Sequence, residues 1–447
     1  MPITPSRRRK YLFYVVFISW TTIYPVGVII HIHKPTKNLL QSGKDIFDLQ
    51  FEVHTTYKRQ TVELTKNKLE IDFDTLKKNR SDLTQFNNIF TVDPKGTVVL
   101  DDAISIDRLP KEEYRVGVHI TDVTAYISPG DAIDKEAYDR GTTFYAGKFS
   151  MPHYMLPEPL SIETYEIQRS QNFEKFYEII CANDLRTSTT NHQRNSESLF
   201  KTDLEILLRI ATEVRQKRLK DSSRAVKYEH ELTKGMETET NCFEAYYLIE
   251  EFMILANDAV ANKLMKAPYI RDCVPLRCHD APATKNVQEW LSSYPKIVDQ
   301  IVQLQNKNPL VSREIKLQNF EVMGSRIRFN DISFVQKWTW NEFKQLMDEE
   351  KYLEASQLIC TDEIHPFQAL ALDEWFRIQE HAEYRCSGNV SKLEGSHFGL
   401  NTYPYVHFTA PIRRFLDIVV HRLLHAVTDG NKDIPYNRND IKCFARK

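Results

Sequence analysis

Asp93, Asp101 and Asp102 lie within ten residues of one another, in the stretch Thr91-Val92-Asp93-Pro94-Lys95-Gly96-Thr97-Val98-Val99-Leu100-Asp101-Asp102-Ala103-Ile104. Pro94 and Gly96 are turn formers, and Thr97, Val98 and Val99 make a β-branched run. The stretch reads as a strand, a tight reversal and an acidic pair. Neighbouring carboxylates repel and raise each other's pKa, so an acidic pair taken out of water needs a cation. Hard oxygen ligands in this number suit Mg²⁺ or Mn²⁺. For an isolated Asp-Asp pair the alternative is a solvated acidic loop.

Further phrases follow in order. They are Val116-Gly117-Val118-His119-Ile120-Thr121-Asp122-Val123, Asp134-Lys135-Glu136-Ala137, Arg140-Gly141-Thr142-Thr143-Phe144-Tyr145 and Met155-Leu156-Pro157-Glu158. Much later come His407-Phe408-Thr409-Ala410-Pro411-Ile412-Arg413-Arg414-Phe415 and Val420-His421-Arg422. In this order and spacing the set resembles the RNB catalytic domain of the RNase II family of 3′→5′ exoribonucleases, over roughly residues 90 to 447. Several long motifs in register are far more specific than one short pattern. Ala382-Glu383-Tyr384-Arg385-Cys386-Ser387-Gly388 resembles the eukaryotic, exosome-nuclease-like branch, and within it the exosome-independent member that lacks a PIN domain.

The resemblance implies roles. Asp93, Asp101 and Asp102 match three of four family aspartates that hold Mg²⁺ and position the attacking water. Such a metal lowers the water's pKa and neutralises charge growing on the phosphoryl oxygens. The fourth aspartate falls at Val99, whose side chain cannot ligate. Arg413 is implied to contact the phosphate being cleaved, with Arg414 in support, and Tyr145 to stack on a terminal base. Stacking suits any base and permits sequence-tolerant degradation. Glu251, in Glu250-Glu251-Phe252-Met253, matches a glutamate lining the catalytic channel. The implied substrate is single-stranded RNA, with a 3′ oligouridine tail in the branch resembled, released as nucleoside monophosphates. A pseudonuclease that binds RNA with a broken metal site is the second reading, motivated by Val99. His119, His407 and His421 are read as hydrogen-bonded core residues.

These residues need a scaffold. The fold class expected is α+β, an antiparallel RNB sheet flanked by helices. At 447 residues the chain holds two or three domains. They are expected as partial OB (cold-shock-like) strands over 1–33, a linker with short helices over 34–90, and the RNB domain over 91–447, incomplete in the middle and at its C-terminal side. The apolar run at 11–30 follows Arg7-Arg8-Arg9-Lys10, which also fits a signal anchor. Its interior hydroxyls, Pro25 and Gly27 favour two strands joined by a turn, and make a membrane partner the lesser reading. An OB barrel needs five strands, so this one would be incomplete.

The match to the family weakens after Leu160-Ser161, and residues 182–198 read as a short polar loop without the family's RNA-seating tyrosine. A helix is expected to start at Thr202, with Glu205 completing a capping box. Its stripe is Leu204, Leu207, Leu208, Ala211 and Val214, with Arg215, Lys217 and Arg218 on the polar side. A second stripe runs through Leu248, Phe252, Leu255, Ala259 and Leu264. Residues 285–385 read as further helices. The last helix is expected to begin at Thr409-Ala410-Pro411, with Thr409 as N-cap and Arg413 in its first turn. Net charge is −2, so nucleic-acid affinity must come from a local basic channel. Seven cysteines without CxxC spacing read as reduced thiols, and the expected location is cytoplasmic.

Overall fold

A computed structural model of the protein describes residues 11–19, 26–33, 48, 53–54, 56–68, 89–93, 99–145, 153–157, 160, 170–172, 191–218, 224–226, 243–293, 312–314, 345, 349, 377–431 and 435–446. The chain divides into two units. One comprises Met1–Asp72, Tyr126–Glu163 and Ile412–Phe415, the other Phe73–Ala125, Thr164–Pro411 and Leu416–Lys447.

In the first unit the apolar run near the start forms two antiparallel strands, β1 (Leu12–Ser19) and β2 (Val26–His33). The strand reading of this run therefore holds. The pair makes a two-stranded sheet of its own, so a barrel is not formed among the described residues. No described helix is long and apolar enough to cross a membrane. Helix α1 (Arg59–Lys68) packs on α2 (Ala132–Arg140). Asp131 caps α2 by accepting from the Asp134 N–H, and Gly141 ends it at φ 70°, a left-handed conformation that a side chain would strain.

In the second unit β3 (Ile89–Asp93), β4 (Asp102–Leu109) and β5 (Glu113–Ile120) form an antiparallel meander. A fourth strand, β6 (Ser170–Asn172), pairs with β3 in parallel, giving the order β5-β4-β3-β6. The expected antiparallel sheet is present as the β3–β5 meander, and β6 adds one short parallel pairing to it. A parallel neighbour needs a long crossover, which the connection from Asp93 to Ser170 supplies. Gly117 lies opposite Ser105, where the Ser105 hydroxyl meets His119. A Cβ at 117 would stand 2.5 Å from Ser105 Oγ and 2.8 Å from His119 Nε2, so a side chain there forces these two to shift.

The sheet packs against α3 (Asn191–Arg218) and α4 (Phe243–Lys266). Phe90, Val92, Ile104 and Ile106 from the strands meet Leu204, Leu207, Leu248 and Phe252 from the helices. Each such side chain contributes about 1.5–3 kcal/mol relative to exposure.

Two helix expectations are corrected here. Helix α3 begins at Asn191, not Thr202, because no Pro or Gly interrupts residues 191–201 and a capping-box pattern alone does not stop propagation. The expected polar loop is therefore helical from Asn191, while residues 182–190 lie outside the described residues. On α4, Leu248, Phe252 and Leu264 are buried as expected, but Leu255 is 44% exposed and Ala259 is exposed. The buried face instead includes Glu251 and Asn257, two polar residues with partners far away in sequence.

Strand β7 (Arg224–Val226) pairs with β9 (Ser312–Glu314), and β8 (Pro275–Cys278) with β10 (Glu383–Cys386), both antiparallel. Within 285–385, where helices were expected, α5 (Thr284–Ser293) is one and β9 is not. Most of the rest lies outside the described residues. Helix α6 (Phe415–Thr428) and α7 (Arg438–Phe444) complete the described elements.

Candidate active site

Asp93 closes β3 and Asp102 opens its antiparallel neighbour β4. With Ile89 opposite Ser105 and Phe90 opposite Ile104, the three nominated carboxylates stand at the same end of the sheet. Asp101 is 8% exposed, and its backbone carbonyl accepts from the Thr121 N–H at 3.1 Å and the Thr121 hydroxyl at 3.0 Å. Asp102 is half-buried and pairs with Ile120 across the sheet.

Asp93 is the electrostatically strained member. Burial pushes its carboxyl up to about 6, against a smaller lowering by a hydrogen bond with Thr91. Its Oδ2 is buried without a hydrogen-bond partner. A carboxylate oxygen so placed favours a proton or a cation.

The donor chemistry fits a hard cation, since all three groups offer carboxylate oxygen. Yet among the described residues no three His, Cys, Asp or Glu side chains converge as a ready metal cluster. Mg²⁺ accommodates this, because it keeps several waters and is commonly bound through one or two carboxylates plus substrate phosphate. Val99 is half-buried and brings only apolar surface.

The first unit brings Tyr145, Arg413 and Arg414 onto one frame. The Arg413 carbonyl accepts from the Thr142 hydroxyl at 2.7 Å and the Thr143 N–H at 2.9 Å. Arg414 bridges Thr142, and the Phe415 N–H donates to the Gly141 carbonyl at 2.9 Å. Phe144 exchanges two backbone hydrogen bonds with His153, of 3.0 and 2.9 Å, which leaves the adjoining Tyr145 53% exposed. The Arg413 side chain is exposed as well.

Arg413 precedes α6 rather than lying in its first turn, which corrects the expected start at Thr409. Pro411 and the pairing with Thr142 and Thr143 hold the segment out of the helix. The Ala410 N–H is bonded by Asp417 Oδ2 at 2.8 Å, from inside α6. Arg140 ties this frame to α1. It bonds Glu136 at 3.0 Å and lies 4.0 Å over the Tyr57 ring, while Glu136 accepts from the Thr61 hydroxyl at 2.6 Å and the Lys58 N–H at 3.0 Å.

Glu251 lies elsewhere in the second unit and is 1% exposed. Its Oε1 accepts from Arg215 at 2.6 Å and from Arg218 at 2.6 Å, and its Oε2 from Arg218 Nε at 3.2 Å. Arg215, expected on a polar surface, is instead 3% exposed, because Glu251 and Glu250 neutralise it inside. The histidines have the partners expected of core residues. His119 Nε2 meets Ser105 Oγ at 2.8 Å, His407 Nδ1 meets the Tyr384 hydroxyl at 2.6 Å, and His421 Nε2 bonds the Phe408 carbonyl at 2.9 Å. Burial lowers the pKa of both His119 and His421.

Thr142, Thr143 and Asp417 were not picked out from sequence, and Arg218, expected on the polar side of its helix, has a side chain only 10% exposed. The threonines lie inside a quoted phrase, but their contact with Arg413 spans some 270 positions (|i−j| = 271 for Thr142) and has no local signal.

Comparison with known proteins bears on this arrangement. The family model described as "RNB domain" matches residues 80–181 and 167–430. The exosome complex exonuclease dis3 of Schizosaccharomyces pombe is 28% identical over 381 residues, which is 79% of this chain and 34% of that protein. The chain thus spans about a third of the length of that curated relative. Among solved structures, Mycoplasma genitalium RNase R in complex with ribose methylated single-stranded RNA superposes with a TM-score of 0.57 at 18% identity, covering 94% of this chain and 62% of that one. Yeast Ssd1, described as a pseudonuclease, superposes with a TM-score of 0.62 at 16% identity, covering 99% and 52%. Both likenesses show the fold.

Proposed function

The chain belongs to the RNase II family marked by the RNB domain, and from that premise we propose that it acts on single-stranded RNA as a 3′→5′ exoribonuclease releasing nucleoside monophosphates. The observation that carries this reading is the acid-bearing end of the sheet, where the orphaned oxygen of Asp93 stands with Asp101 and Asp102. In this reading Asp93, Asp101 and Asp102 hold Mg²⁺, or Mn²⁺, with waters and RNA phosphate completing the shell. The metal supplies an activated water and offsets charge on the phosphoryl oxygens.

The chain's own residues do the rest. Arg413 offers a two-pronged fork to the phosphate, Arg414 adds charge, and Thr142 and Thr143 fix the backbone from which Arg413 projects. Tyr145 offers an exposed ring on which a terminal base stacks. Glu251 acts through Arg215 and Arg218 as a positioning residue instead of touching RNA. A 3′ oligouridine tail and a cytoplasmic place of action belong to the same reading.

The test uses single-stranded RNA labelled at its 5′ end, with Mg²⁺ or Mn²⁺. Stepwise shortening and monophosphate release, both lost in Asp101→Asn, are expected. A second reading has a specific motive in Val99 and in the lack of a converged triple of acids among the described residues. On that reading the protein binds RNA without cutting it. Tight binding with intact RNA at every metal concentration would select it.

A further inference from the structure

In the second unit, the loop at 391–403 lies beside residues 279–284, between β8 and α5, and the two line a half-open cavity of about 740 Å³. That volume is within the range of small-molecule sites. The His279 and His397 backbones bridge in parallel, and their rings meet edge to face at 5.1 Å. Phe398 stands 5.9 Å from His279, also edge to face. Tyr403 and the buried Pro282 extend these walls.

The walls are chemically specific. The Gly399 N–H donates to His279 Nδ1 at 3.1 Å, and the Leu400 N–H to His397 Nδ1 at 3.1 Å. Each imidazole thus turns its Nδ1 to the loop backbone as an acceptor. Asp280 is clasped by the Arg385 fork, which holds its carboxyl below the usual range. Glu394 accepts from the Ser391 N–H at 2.8 Å, which lowers its pKa too. Thr284, Ser396 and Asn401 add hydroxyl and amide groups. The site therefore offers flat rings and mixed hydrogen-bonding groups, and its Asp280 carboxylate is already matched to the Arg385 fork. That chemistry suits an uncharged, planar heterocycle better than a free phosphate.

We infer that this cavity between β8, α5 and the 391–403 loop is a binding site for a single nucleobase, carried either by a free nucleoside monophosphate or by an RNA chain. The inference rests on the reading of the protein as RNA-acting. The wall loop is tied to the ion cluster of Glu251: Arg218 donates to the Leu400 carbonyl at 2.5 Å, and Asn401 Nδ2 to the Arg218 carbonyl at 2.6 Å. A base in the cavity thus bears on the loop that Arg218 links to Glu251.

Uridine and adenosine monophosphates are titrated into the full chain by calorimetry. Saturable binding is expected, weakened at least about tenfold by Ala281→Trp, which fills the mouth, at an unchanged thermal midpoint. Phe398→Leu, which removes a wall ring, serves if the Trp variant does not fold. Single-stranded RNA containing 4-thiouridine separates the two sources. Photo-crosslinking to 391–403 that monophosphate competes away assigns the base to RNA, whereas monophosphate binding without crosslinks assigns it to free nucleotide. Absence of both, or binding indifferent to both variants, overturns the inference. If the wild type cuts no RNA yet binds monophosphate in a manner sensitive to Ala281→Trp, the nuclease reading fails and the cavity stands.

Discussion

Replacing Glu251 distinguishes a residue that touches RNA from one that holds helices together. Its carboxylate is 1% exposed and meets Arg215 and Arg218 at 2.6 Å each, with side-chain exposures of 4% and 10% for the arginines. Glu251→Ala strands both guanidinium groups in the interior. Removing one partner from a buried pair costs about 3–5 kcal/mol. Two contacts temper that loss: Arg215 keeps Glu250 at 3.2 Å, and Arg218 keeps the Leu400 carbonyl. The expected loss is therefore about 3 kcal/mol, the lower end of that range. Glu251→Gln keeps the shape and one acceptor oxygen and should lose about 1.5–3 kcal/mol, the worth of hydrogen bonds to a charged group. Urea unfolding is the assay, with midpoint and slope followed together. At a slope of about 3 kcal/mol/M the Ala variant should unfold about 1 M earlier. Replacing Glu251, Arg215 and Arg218 together with apolar residues should recover much of the loss, since a buried ion cluster is rarely better than good packing. An Ala variant within about 0.5 kcal/mol of wild type, yet weaker in RNA binding, would refute the reasoning and return Glu251 to the substrate channel.

Asp101→Asn should abolish degradation of single-stranded RNA while leaving filter-binding affinity measurable; degradation at the wild-type rate removes Asp101 from the reaction. Asp93 fixes a pH dependence, because its folded carboxyl titrates near 6 against an ordinary 3.8. The metal-free fold therefore gains from this group below 3.8 and loses that gain as pH rises through about 6, so the rise in thermal midpoint on adding Mg²⁺ should be larger at pH 8 than at pH 5. Val99→Asp adds a carboxylate near this end of the sheet and should lower the Mg²⁺ concentration needed for activity, or create activity; a folded variant with no Mg²⁺-dependent stabilisation and no degradation shows that the missing ligand is not the limiting defect. Gly117→Ala should cost about 1–3 kcal/mol in thermal unfolding, because the new methyl meets Ser105 Oγ and His119; a neutral result means that the Ser105–His119 contact yields.

What the sequence made legible was local. The β-branched and aromatic residues from Leu12 to His33 specify strands, and Pro25 with Gly27 favours a hairpin over a continuous apolar helix. The stripe Leu204, Leu207, Ala211 places one face of α3 in the core. Order and spacing of motifs located the acid-bearing strands, but the segment before α6 was expected as the helix's own first turn. Helix ends were less legible, since Thr202 carries a capping pattern but sits inside a longer helix. Burial of charge was not legible at all. Nothing local distinguishes Arg215 from Lys217, which stays exposed, because the difference lies in Glu251 on another helix. The same holds for Asp417, fully buried on α6, whose Oδ2 accepts from the Ala410 N–H of the segment before the helix.

On the proposed reading, holding RNA and cutting it rest on different residues in this chain. The phosphate and base contacts would need only Arg413 and Tyr145 exposed on a rigid frame, and that frame is closed by hydrogen bonds in which Thr142, Thr143 and His153 donate and the Gly141 carbonyl accepts. None of those bonds depends on a metal. Hydrolysis needs charge offset at the carboxylates, and there the site is lean: Val99 contributes no oxygen, and Asp93 is half-protonated near pH 6 without a cation. The two capacities should therefore separate under perturbation. Chelating the metal or lowering the pH removes cutting first, whereas changing Arg413 removes binding at any metal concentration. A chain in which Arg413→Ala and chelation abolish the same fraction of RNA binding does not divide its labour in this way.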